Sequence, residues 1–137
     1  MIPEDYDAVV QLWQSAGLEY LPHGRDQYER IVTELTREEN AFLVGELGET
    51  VVASIFATHD GRKGWINRLA VHPDHQHHGF AQRLIQAAEK ALETQGIEII
   101  GALIEADNDR SRALFEQAGY QARPHIQYFS KRKYPWT

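Results

Sequence analysis

One junction constrains this chain more than any other. An extended run, Trp65-Ile66-Asn67-Arg68-Leu69-Ala70-Val71, is stopped by His72-Pro73, and soon afterwards apolar residues fall at Phe80, Leu84, Ile85, Ala88, Ala91 and Leu92. The first pattern is that of a strand and the second is one face of a helix. Between them, Gln76-His77-His78-Gly79-Phe80-Ala81 must turn the chain tightly. At such a helix start the first backbone N–H groups have no partner, and the aligned peptide dipoles leave partial positive charge, so an anion is favoured there. Gly79 removes the side chain that would otherwise hold a phosphate away from those amides. A phosphate cradle is therefore expected over Gln76, His77, His78, Gly79, Phe80 and Ala81. A P-loop would require Gly-Lys-Ser/Thr, yet no lysine follows Gly79 before Lys90, and a dinucleotide turn would require more glycines than Gly79 alone.

The rest of the chain supplies the frame for this junction. Tyr6, Val9, Val10 and Trp13 recur at helical spacing, with Pro3 tolerated at the start and Gly17 as a stop. A second helix is expected over Asp26 to Arg37, with Tyr28, Ile31, Val32 and Leu35 on one face. The period then shortens, and Ala41 to Leu47 and Thr50 to Ala57, joined around Gly48-Glu49, read as an antiparallel hairpin. Asp60-Gly61 turns the chain into the strand ending at Val71. After the helix closed by Gly96, Ile97 to Ile104 is a further strand, Asp109 to Ala118 a short helix, and the segment through Ile126-Gln127-Tyr128-Phe129 a final pair of strands. Helices, hairpin, then strand, helix, strand, helix, strand describe an α+β sheet with one parallel crossover.

Composition narrows the classes. The 137 residues, 42% hydrophobic and 25% charged, suit a single domain over residues 1–137. Cysteine is absent, which excludes a disulfide framework, a thiolate metal site and a cysteine nucleophile. No secretory layout opens the sequence and no apolar run approaches the roughly 20 residues that span a bilayer, so a cytoplasmic protein without membrane attachment is expected. A formal charge of -6 argues against a broad nucleic-acid surface, and Lys131-Arg132-Lys133 reads as a solvated strand end. His72, His75, His77 and His78 crowd the loop without the carboxylate-histidine spacing of catalytic zinc, so no metal is expected; His77 and His78, when protonated, would help to hold pyrophosphate.

The spacing Gln-x-x-Gly-x-Ala, after Leu69-Ala70-Val71 and before an amphipathic helix, resembles the acetyl-CoA signature of the GNAT superfamily of N-acetyltransferases. Downstream, Leu103-Ile104-Glu105-Ala106-Asp107-Asn108 leading into Ser111 to Tyr120 resembles the second half of that family: strand, asparagine, helix, then Gly-Tyr. The likeness covers roughly residues 40 to 130. It implies a mixed, mostly antiparallel central sheet with helices on both faces and a splayed V between the two central strands. By the same resemblance, Leu69, Ala70 and Val71 would offer backbone groups to pantetheine and the thioester, Gln76 through Gln82 would supply the pyrophosphate amides, Asn108 would bond the pantetheine, Phe115 would pack on it, and Ser111 would join the cofactor contacts. A helix terminus contributes about 0.3 to 2 kcal/mol per charge contact, whereas micromolar affinity needs about 8 kcal/mol, so strand-like pairing along pantetheine must supply the remainder.

The chemistry implied is direct attack of a neutral amine on the acetyl thioester, with backbone N–H groups stabilising the oxyanion. A lysine-type ammonium costs about 4 to 5 kcal/mol to deprotonate at neutral pH and an α-amine about 1, so a base matters more for the first. Two positions depart from the family pattern. Asn67 stands in the strand where many members carry a glutamate, which makes Glu105 the candidate base, ahead of His59 and Asp60. Phe115 stands where members often carry a tyrosine as general acid, leaving Ser111, Tyr120 and Tyr128 as hydroxyl candidates, with Tyr128 carried forward, or solvent. The family usually opens with a strand before its first helix, and this sequence has no room for one: either its start omits that strand, or the sheet has an open edge there, which would invite a homodimer. The expected function is acetyl transfer from acetyl-CoA to a primary amine of a small molecule, peptide or protein, the alternative being a non-catalytic acyl-CoA-binding sensor or interaction module. Arg25, in the loop between the first helices, is a candidate contact for an acidic acceptor.

Overall fold

A computed structural model describes residues 1–137. Strand β1 (Ala41–Leu47) and strand β2 (Thr50–His59) form the antiparallel hairpin, with Leu47 opposite Thr50. Asp60 makes the next turn by accepting the amides of Arg62 and Lys63 at 2.9 and 2.8 Å. Those donors, Lys63 first, favour the ionised form and hold the Asp60 carboxyl below the usual range. Strand β3 (Lys63–Val71) returns antiparallel to β2. Helix α3 (Phe80–Glu93) then carries the chain over one face, and β4 (Ile99–Ala102) pairs parallel to β3, giving the four-stranded order β1-β2-β3-β4.

Strand β2 is covered on both sides, which is why Val52 to Ala57 are buried without a polar alternation. Ile55, Ala57 and Ile66 of the sheet pack against Leu84, Ile85 and Leu92 of α3, and Phe115 of helix α4 (Asp109–Gln117) joins the same cluster. Phe56 faces the other way, into a cluster with Val9, Leu12 and Trp13 of helix α1 (Tyr6–Ser15) and Ile31 of helix α2 (Tyr28–Leu35). The sheet therefore has helices on both faces. The approach of α3 is close: a Cβ on Gly64 would lie 2.7 Å from Leu92 Cδ1, so glycine is what allows the end of the helix to touch the strand backbone.

The elements differ from those expected in three places. The second helix begins at Tyr28 instead of Asp26, because the Asp26 carboxylate accepts the Leu21 amide at 2.9 Å and pairs with Arg68. Strand β4 is shorter than Ile97 to Ile104, since its ladder to β3 ends at Ala102 opposite Ile66. The final pair of strands does not form. After α4 the chain turns at Pro124-His125, where proline removes a ladder donor, and Ile126, Tyr128 and Phe129 remain exposed with no sheet face beneath them.

Leu92 is fully buried between Gly64 and the core. Replacing it with alanine should lower stability by about 2 to 5 kcal/mol through lost transfer energy and a residual cavity, measurable as a shift of the urea midpoint at unchanged slope.

Candidate functional site

The site begins where β3 leaves β4. Their parallel ladder runs from Lys63–Ile99 to Ile66–Ala102, and beyond it β3 continues through Val71 while Leu103 and Ile104 follow a path outside the sheet. The two walls diverge towards the C-terminal end of both strands. On its other side β3 stays bound to β2, and the His72 amide donates to Val52 at 2.8 Å. Alternation along the strand turns the backbone groups of Val71 and Leu69 away from β2, into the open V.

A bulge produces the divergence. Ser54 pairs with Ala70 and Phe56 with Asn67, so Ile55 alone opposes Arg68 and Leu69. Arg68 takes φ +55°, a left-handed conformation costing a non-glycine residue about 1 to 2 kcal/mol. Buried groups hold it in place. Ser54 Oγ donates to the Arg68 carbonyl at 2.8 Å and accepts from Trp13 Nε1 at 3.0 Å, while the Arg68 guanidinium lies 4.4 Å from the Trp13 ring centroid and pairs with Asp26. Pattern had marked Trp13 only as part of an apolar helix face and Asp26 only as the head of a helix, and neither Ser54 nor Arg68 for a role at the bulge. The available signal was Asn67-Arg68, two consecutive polar residues that break the alternation of an otherwise apolar strand.

At the same end of the sheet, Pro73–His75 form a short turn capped by His72 Nδ1, which accepts the Asp74 amide at 3.1 Å. Gln76 Nε2 donates to the Val71 carbonyl at 3.1 Å and so ties the loop to the strand end. His77 and Gly79 have φ of +66° and +81°, and α3 begins with no side-chain cap. The first amide of this region with a backbone acceptor is that of Arg83, bonded to the Gly79 carbonyl at 3.1 Å. Those of Gly79, Phe80, Ala81 and Gln82 point outward from the helix start. A Cβ on Gly79 would meet nothing within 4 Å, so the space above it is open. The Gln82 side chain turns elsewhere, donating to the Leu114 carbonyl at 3.0 Å and joining α3 to α4.

The other candidates fall into separate places. Asn108 caps α4, its Oδ1 accepting the Ser111 amide at 3.1 Å, which leaves its side-chain N–H groups as donors. Phe115 is buried, edge-on to Tyr120 at 5.0 Å. Tyr120 donates to Glu89 at 3.2 Å, and burial followed by the Glu89 charge pushes its hydroxyl pKa well up, so it stays protonated and engaged on α3. Glu105 is exposed on the diverging wall past β4, and Tyr128 is 69% exposed on the strandless segment after α4. His59 and Asp60 serve the turn: His59 Nδ1 accepts the Gly61 amide at 3.0 Å and its Nε2 meets Gln95 at 2.8 Å.

Residues 6–120 match the model of the Acetyltransferase (GNAT) family. The chain belongs to that family. It is 32% identical over 123 residues to an acetyltransferase of Yersinia pestis (strain Pestoides F), covering 90% of this chain and 86% of the relative. Its fold is similar to that of the PaiA N-acetyltransferase from Thermoplasma acidophilum in complex with coenzyme A, with a TM-score of 0.79 at 16% identity over 90% of this chain and 87% of the other. It is also similar to an aminoglycoside acetyltransferase from an uncultured soil metagenomic sample in complex with sisomicin, with a TM-score of 0.78 at 15% identity over 96% and 92%. The fold expected from the sequence, a mixed, mostly antiparallel sheet with helices on both faces, is thus that of a GNAT acetyltransferase, with the V opening between β3 and the edge strand β4.

In this GNAT enzyme the bulge depends on one hydroxyl. Ser54→Ala would leave the Trp13 N–H and the Arg68 carbonyl unpaired in a buried setting. The variant should lose about 1 to 3 kcal/mol of stability, and a double-mutant cycle with Trp13→Phe should show coupling between the two sites.

Proposed function

We propose that this protein transfers the acetyl group of acetyl-CoA to a primary amine by direct attack on the thioester. The observation that carries the reading is that the open edge of β3 and the uncapped start of α3 share one end of the sheet, joined by the short loop after Val71. A diphosphate would take the amides around His77, His78, Gly79, Phe80, Ala81 and Gln82. Pantetheine would run along Leu69, Ala70 and Val71, with the free donors of Asn108 and the Ser111 hydroxyl across the V. Phe115 would bear on it from the core side.

In the reaction the amine lone pair forms the new C–N bond, the carbonyl becomes an oxyanion beside the outward N–H of β3, and the C–S bond breaks to release the thiolate. Glu105, on the opposite wall, is the proposed base, removing through water the proton the amine must lose. Tyr128 is the proposed donor to the departing sulfur, and from its exposed segment it would have to fold over the V once substrates are bound. The relatives named as acetyltransferases, and a fold shared with proteins in complex with coenzyme A or an aminoglycoside, support catalysis over a coenzyme sensor. A polyamine, aminoglycoside, amino acid or peptide amine fits the reading equally. The outer edge of β1, where the Met1 amino group meets the Phe42 carbonyl at 2.9 Å, is where a second copy would pair.

The deciding experiment follows release of coenzyme A thiol from acetyl-CoA across these amine classes. Turnover on at least one is expected, and coenzyme binding without turnover on any would return the sensor reading. Gly79→Asp places a carboxylate where the phosphates are proposed to sit and should weaken coenzyme binding by about tenfold or more in calorimetry. The fold should be retained at a cost of about 1 kcal/mol from the left-handed backbone. For the dimer, light scattering at working concentration should give twice the chain mass; a monodisperse monomer would end that part of the proposal.

A further inference from the structure

The histidines of the loop between β3 and α3 fall into two pairs with different surroundings. His72 and His75 serve the loop itself. His72 Nδ1 accepts the Asp74 amide at 3.1 Å, which requires that nitrogen to be unprotonated. Its ring lies 5.8 Å from that of His75, which in turn meets Phe80 edge-on at 6.5 Å. His77 and His78 are placed otherwise. Both are exposed, neither joins an ion pair, and they immediately precede Gly79 and the outward amides of Phe80, Ala81 and Gln82. His77 takes φ +66°, a left-handed conformation that histidine and asparagine enter more readily than most residues, so the residue that makes the turn also carries an imidazole to the helix start.

The other charges around this point do not compete for that role. Asp74 lies 3.8 Å from His72 Nδ1 and belongs to that pair. Arg83 is exposed in the first turn of α3, and a guanidinium keeps its charge throughout. Strands β2 and β3 reach the loop through the Val52 and Val71 carbonyls, and α4 reaches the first turn of α3 through the Leu114 carbonyl and Gln117, all uncharged. Imidazoles are therefore the groups here that change charge across the physiological pH range.

We propose that His77 and His78 make coenzyme binding pH-dependent, taking up protons as the diphosphate seats beside them, so that the protein holds its coenzyme more tightly as pH falls through the neutral range. The inference rests on the coenzyme reading of this loop. Its sign follows from linkage: an anion at the helix start raises the proton affinity of an imidazole next to it, and the proton strengthens the hold on the anion by the same factor. His72 sets an acid limit. Its protonation removes the acceptor that caps the Pro73–His75 turn, and the loop then loses a bond that shapes it.

The test is calorimetry of dephospho-coenzyme A from about pH 6 to about pH 8, in buffers of different ionisation enthalpy. That probe carries only the diphosphate, whereas the ribose phosphate of coenzyme A is a monoester that titrates in this range with the opposite sign. Expected are an affinity about fivefold higher at the acid end, the scale of two exposed charge contacts, and net proton uptake on binding. His77→Asn with His78→Gln, asparagine being tolerated at the left-handed position, should flatten the profile and match the parent at the alkaline end. Should that double variant not fold, His78→Gln alone decides, by whether slope and proton uptake both fall. His72→Asn, which offers the Asp74 amide an acceptor at every pH, repeats the titration without the acid limit. A flat profile in both the parent and His72→Asn would overturn the proposal, as would a slope that survives loss of both imidazoles. Binding of neither dephospho-coenzyme A nor coenzyme A at any pH would instead refute the coenzyme reading, and the proposal with it.

Discussion

A left-handed residue in the middle of a strand is the constraint on which the rest of this structure depends. Before Arg68, β3 is an ordinary member of a sheet with a neighbour on each side. Beyond it, the strand keeps one neighbour and gives its other edge to a cleft. The conformation is unfavourable in itself, so it persists because its carbonyl, its side chain and the strand opposite are all committed to it: Ser54 below, Asp26 and Trp13 at the side. The extra residue also keeps each face consistent. Leu69 and Val71 stay with the α3 core and Ala70 with the α1 core, where a regular strand would have exchanged them.

Apolar packing aims what the bulge opens. Helix α3 is fixed along its length by Leu84, Ile85, Ala88 and Leu92, and at its far end it touches the bare backbone of Gly64. Its first turn is fixed at the mouth of the V by the Gln76 and Gln82 side chains, one bonded to the end of β3 and the other to α4. Positive partial charge at the helix start is weak on its own, so its placement beside an unpaired strand edge is what gives it use.

Much of this was legible in the sequence, and the limits of legibility are physical. The hairpin, β3 and α3 each carry a clear period, and Gly79 marks a turn that only a left-handed residue can make, so the fold and the loop could be read directly. The strands expected after α4 failed because alternation in Ile126 to Phe129 signals what a segment could do, whereas a strand also needs a partner edge and a face to bury. Asp26 looked like the start of a helix by spacing, but a half-buried guanidinium distant in sequence claimed it, and no local pattern reports such a pairing. The hydroxyl of Tyr120 could be named from sequence, but its engagement with Glu89 could not, since that depends on how α3 and the end of α4 meet.

The third helix opens without a side chain to finish it, so in the free protein its leading amides rely on water. Any anion that seats there completes the helix as it binds, and by mass action its binding energy becomes part of the resistance of the whole molecule to unfolding. An acyl-CoA seated there, as proposed, would raise the unfolding free energy in step with the logarithm of its free concentration.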